Sequence, residues 1–149
     1  MDHSAFQAEP RILSRLLASV WFQIFSRVVL TSVLWIAGLV GIFDFPLKVG
    51  EMRSFGLVPA EAFAVAVTAV QLGGSLLIIL NRYVWLGAGA LGVFLALTIP
   101  IAHPFWALQE PQRSISFFTV LEHISLIGGL MVVAILAPRP LGRRQPATN

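Results

Sequence analysis

Between Phe117 and Leu136 the sequence reads FFTVLEHISLIGGLMVVAIL, twenty residues whose only ionisable members, Glu122 and His123, stand side by side. Twenty residues of helix rise about 30 Å, the thickness of one hydrocarbon core. An ionised carboxylate at the centre of such a span costs roughly 2.5 to 3.5 kcal/mol, so the fold has to supply a polar interior for the pair. A carboxylate beside an imidazole can relay protons there. It can also hydrogen-bond the oxygens of a quinone-like headgroup. Metal binding is the third use of such a set, but no HxxxH or ExxH pair occurs, and no metal site is expected.

Other polar residues fall where the same pocket can gather them. His103 closes an apolar run, Asp44 closes another, and Gln71 lies in the middle of a third. Glu122 and His123 lie roughly 9 Å below the outer end of their span by helical rise. The outer half of the membrane can therefore collect Asp44, His103, Glu122 and His123 over a floor made by Gln71. Trp106, Phe105 and Phe43 would supply ring surface for a headgroup. Adjacent helical residues point about 100° apart, so Glu122 and His123 cannot both face one narrow pocket. Glu122 shares a stripe with Ser125 and Gly129, and that stripe is expected to face inward. Each residue has a structural use too. Glu122 could pair with Lys48, Arg53 or Arg27, His103 could cap a helix end, and Gln71 with Ser75 could bond a neighbouring helix.

The elements that position these residues follow from composition. The chain has 57% hydrophobic and 11% charged residues and a mean hydropathy of +0.84. Soluble domains carry about 25% charged residues, so this is an integral membrane protein. There is no cysteine, which excludes disulfides and thiolate chemistry by this chain. The ten basic residues sit at the ends of apolar runs and not in a patch, which speaks for membrane topology and against nucleic acid.

Apolar runs predict spans over about 24–43, 60–80, 83–103 and 117–137, in one domain covering 1–149. The fold class is all-α, a four-helix membrane bundle. Residues 1–10 and 139–149 read as loosely held polar tails. Arg11 to Trp21 has amphipathic spacing and either lies in the interface or extends the first span inward. Asp44 to Pro59 carries charges of both signs and is expected to be an ordered cap or a functional loop. Glycines 87, 89 and 92 with Ala88 and Ala90 form a small-residue stripe for close helix packing. With four spans, Arg11, Arg15, Arg27, Arg82, Arg139, Arg143 and Arg144 share one side, against Lys48, Arg53 and Arg113 on the other. Seven against three places both termini in the cytoplasm.

Read together, the motifs resemble the DoxX family of small membrane proteins. The resemblance covers Arg27 to Pro138. It rests on Arg27, Ala37-Gly38, Phe43-Asp44 with Lys48, and Gly56-Leu57-Val58-Pro59. Gln71-Leu72-Gly73-Gly74, Arg82, His103-Pro104-Phe105-Trp106 and Gly128-Gly129 continue it in order. Gln71 stands where the family pattern has an acid, and Glu122-His123 where a lysine–asparagine type of pair is expected. The resemblance implies four helices in the inner (plasma) membrane; some relatives resemble a subunit of a thiosulfate:quinone oxidoreductase, and others accompany redox or detoxification enzymes. Two functions follow. One is a non-catalytic subunit or anchor for a redox partner, in contact with lipid and with that partner or a second copy. The other is a quinone-binding or proton-handling component built on Glu122, His123, His103, Gln71, Asp44 and Trp106, with quinone as the candidate cofactor. No nucleotide-binding loop, catalytic triad or haem-ligating pair is visible, so catalysis by this chain alone is not expected.

Overall fold

The computed structural model describes residues 11–137, all of whose regular structure is helical. Both sequence tails, with Arg139, Arg143 and Arg144, lie outside the described residues. Three helices are long and apolar enough to cross a membrane: α5 (Ala60–Ile79), α6 (Val84–Ala102, continued by a 3-10 turn at Phe105–Ala107) and α7 (Gln112–Leu136). The other four among the described residues, α1 (Arg11–Ala18), α2 (Val20–Leu30), α3 (Ser32–Phe43) and α4 (Phe45–Ser54), are shorter, with sharp bends between α1 and α2 and between α3 and α4. Among the described residues the number of crossings is three, or up to five if each bent pair counts as one.

The amphipathic segment does not run straight into the first span. At Ser19 the backbone is extended (φ −66°, ψ 127°) and α1 turns 66° away from α2, so Trp21 belongs to α2. The Gln23 amide donates to the Leu17 carbonyl (3.4 Å), which α1 leaves free at this end. The single helix expected over 24–43 is corrected to α2 and α3, parted at Thr31. The Thr31 hydroxyl donates to the Arg27 carbonyl (2.8 Å), a back-bond that loosens the helical ladder. The Trp35 indole N–H donates to the Val28 carbonyl (3.2 Å), which satisfies an acceptor at the break.

The segment expected as a cap or loop contains α4, which turns 112° from α3 and folds back against α3 and α5. Its start is chemically legible. The Asp44 carboxylate accepts from the Leu47 N–H (3.1 Å), and Pro46 occupies the first turn, where its missing donor is not needed. Val49 and Met52 then pack on Ala60 and Ala64 of α5. The Arg53 guanidinium also bonds the Glu61 carboxylate at the start of α5. Both side chains are exposed, so this pair contributes little.

The α5–α6 turn puts Asn81 and Tyr83 at positive φ (55° and 51°) and brings the two helices into backbone contact. A Cβ on Gly87 would sit 2.7 Å from the Gly74 carbonyl oxygen. Of the small-residue stripe, Gly87 and Ala88 are buried, whereas a Cβ on Gly89 or Gly92 would meet nothing within 4 Å. The main core, Leu34, Ile78, Leu91, Leu95 and Leu130 among others, surrounds that crossing. Helix α7 begins at Gln112, five residues before the expected span, and packs on α6 and on α2, where Gly129 meets Leu30.

Candidate functional site

Helix α3 packs on α5 and α5 on α6, but the backbones of α3 and α4 stay apart from that of α6. The space left between them is a cavity of about 320 Å³, running from mid-bundle to the end covered by α4. Its wall is mainly apolar, with Leu34, Met52, Val67 and Leu95 and the rings of Phe55, Phe63 and Phe94. Polar groups enter from every side: Lys48 and Glu51 from α4, Gln71 from α5, Thr98 from α6, His103 from the end of α6, and His123 from α7.

Lys48 is 4% exposed, and its ammonium donates to the Glu51 carboxylate at 2.8 Å. One turn of α4 makes this pair possible, since residues three apart share a face. Gln71 is equally buried at 4%, and its Oε1 has no hydrogen-bond partner among the described residues. The nearby Ser75 Oγ and Thr68 Oγ1 are also buried without a partner there, so Gln71 and Ser75 do not form the interhelical bond that their spacing allows. An unsatisfied amide oxygen in a low-dielectric interior is costly, and a hydrogen-bond donor entering the cavity would relieve that cost.

His103 and His123 meet edge to face, with ring centroids 5.2 Å apart. His123 Nδ1 lies 2.8 Å from the Thr119 carbonyl. A carbonyl can only accept, so Nδ1 carries a proton, and in the neutral form of the ring Nε2 is left as an acceptor. His103 ends α6: its N–H donates to the Ile99 carbonyl and its own carbonyl accepts from Phe105. Among the described residues no three His, Asp or Glu side chains converge to hold a metal ion.

Of the six residues singled out from the sequence, the cavity brings together Gln71, His103 and His123. Asp44 is exposed as the cap of α4. Trp106 is 59% exposed, meets Phe105 edge to face and does not line the cavity, and Phe43 is 82% exposed. The inward orientation expected for Glu122 is corrected: its side chain is on the exposed face of α7 with no hydrogen bond or ion pair among the described residues, and His123 takes the inward position. The roughly 100° between neighbours allows only one of them in, and packing on α6 selects the imidazole. Sequence reasoning passed over Lys48 and Glu51 as site residues because a loop assigns no face; the Lys48–Glu51 spacing inside a helix was the available signal.

The DoxX family model matches residues 22–104, more than half of the chain. The chain belongs to the DoxX family. No curated protein and no solved structure matches it. The matched part of this DoxX protein holds Lys48, Gln71 and His103, while His123 and Glu122 lie beyond it on α7. Family membership and the long apolar helices make it a multi-pass membrane protein, in contact with lipid.

Proposed function

We propose that this DoxX protein binds a small lipid-soluble molecule with a polar ring headgroup, of the quinone class, in the cavity beneath α4. The observation that carries this reading is the unpartnered amide oxygen of Gln71, set in an apolar chamber with Lys48, His103 and His123. The Lys48 ammonium supplies donors for a ring carbonyl, and Gln71 Oε1 and His123 Nε2 supply acceptors for a ring hydroxyl, so the oxygens of a quinone-class ring and of its reduced form can be held. Three phenylalanine rings offer the flat surface such a headgroup needs. Val33 and Leu97 line the cavity and are also exposed at the bundle surface, so a ligand arriving through the bilayer meets an apolar rim.

The test is equilibrium binding of a short-chain quinone to the purified protein. Gln71→Leu, Lys48→Met and His123→Leu should each weaken binding about tenfold, the worth of one well-placed hydrogen bond. Asp44→Asn and Trp106→Leu should bind like the wild type. Equal binding by all five variants would sink this assignment.

In the proposed topology α2 with α3, α5, α6 and α7 form four crossings of the plasma membrane, both termini are cytoplasmic, α1 lies in the interface and α4 caps the outer end. The seven-to-three arginine and lysine count supports this orientation. A single cysteine at Ser54, in a chain with none of its own, should react with an impermeant label from outside intact cells. Reaction only from the cytoplasm would reverse the orientation.

A second reading, a membrane subunit or anchor for a redox partner, is favoured by a different observation, the outward-facing Glu122.

A further inference from the structure

Helix α7 has 25 residues and is about 37 Å long, some 7 Å more than a hydrocarbon core. Glu122 lies ten residues, about 15 Å, from its start and about 21 Å from its end. However the helix is centred, the Glu122 carboxylate is inside the hydrocarbon, too deep for a short side chain to reach the headgroups. It is exposed, and no group among the described residues bonds it. Along the same face, Ser125 spends its hydroxyl on the Leu121 carbonyl (2.9 Å), and a Cβ on Gly128 would meet nothing within 4 Å. This face therefore combines a bare carboxylate with room for close backbone approach. Intramembrane acids of this kind almost always pair with a basic or donor group.

A second copy of the chain does not supply that group. Two α7 helices packed about a two-fold axis through this face set Glu122 against Glu122, like against like. The cations at the α4 end are engaged: Lys48 is buried with Glu51, and Arg53 pairs with Glu61. Arg113, on α7 itself, is nine residues or about 13 Å nearer the helix start. Arg27 belongs to α2, a turn beyond the Leu30–Gly129 contact and so well towards the other end.

We propose that the outward face of α7 docks a transmembrane helix of a different protein, one carrying a lysine or arginine at the depth of Glu122. This rests on the subunit reading and is independent of the cavity. The test places a photo-crosslinking amino acid at Ser125 of the full chain in native membranes and identifies the adduct peptide by mass spectrometry. The expected adduct is a membrane-spanning segment of another polypeptide with Lys or Arg within one turn of the crosslink. Its yield should fall at least about tenfold in Glu122→Leu and severalfold in Glu122→Gln, which keeps the shape and the hydrogen bonding but loses the charge. Both variants should purify folded and bind the short-chain quinone at wild-type strength. An adduct to this chain's own peptide, to lipid alone, or to a segment lacking a basic residue would overturn the proposal. So would a yield indifferent to both substitutions, or a Glu122→Leu protein that fails to fold.

Discussion

Glu51→Ala is expected to destabilise the protein by about 2 kcal/mol, whereas Lys48→Met is expected to leave its stability unchanged or raise it. The two residues form one ion pair, but their exposures differ: the lysine side chain is 5% exposed and the glutamate 44%. Removing the glutamate leaves a buried ammonium at the wall of a mainly apolar cavity, with no other ion partner among the described residues. Removing the lysine leaves a carboxylate that can turn to solvent, and methionine refills the volume with apolar atoms. Losing the partner of a buried charge typically costs about 3 to 5 kcal/mol; the half-exposed carboxylate places this pair below that range. Thermal unfolding in detergent reads both values. If the two variants were equally destabilised, Lys48 would be held by something other than its charge. The contrast also bears on function. A lysine whose burial the fold could do without, yet which binding requires, is a ligand contact.

Gly87→Ala is expected to cost about 1 to 3 kcal/mol and to lower the yield of folded protein in the membrane, while Gly89→Ala should be neutral. The added methyl of Gly87→Ala meets the Gly74 carbonyl oxygen at 2.7 Å, and backbone cannot rotate away. It also lies 3.0 Å from Leu77 Cβ and 3.2 Å from Ile78 Cγ1, so both helices have to part. Two residues along, Gly89 faces open space. In lipid the α5–α6 pair is held by close packing and not by expulsion of water, so forcing the backbones apart at Gly87 weakens what joins them. Resistance to denaturation by SDS measures this, with Gly89→Ala as the control; equal effects at both sites would show that the crossing lies elsewhere.

The helices themselves were legible because lipid leaves the backbone no alternative: apolar runs of this length must satisfy their own hydrogen bonds. The α5 and α6 boundaries agree with the expected spans to within a residue or so, and the αL turn falls where Asn81 and Arg82 interrupt the hydropathy. Family membership was legible too, from short motifs in the right order. Faces were another matter. Nearly every residue in these spans is apolar, so periodicity carries little information about which side packs; among glycines and alanines that resemble one another in the sequence, tertiary contact chooses Gly74, Gly87 and Ala88. The same holds for Glu122 and His123, where adjacency allowed only one inside and the packing of α7 on α6 admitted the imidazole. Asp44 predicted a helix end correctly, but only the 112° turn after Phe43 carries Lys48 and Glu51 back over the bundle to cover the cavity. A one-dimensional pattern records which residues can be buried. Which polar groups meet across a cavity depends on angles between helices, and those are set by contacts distant in the chain.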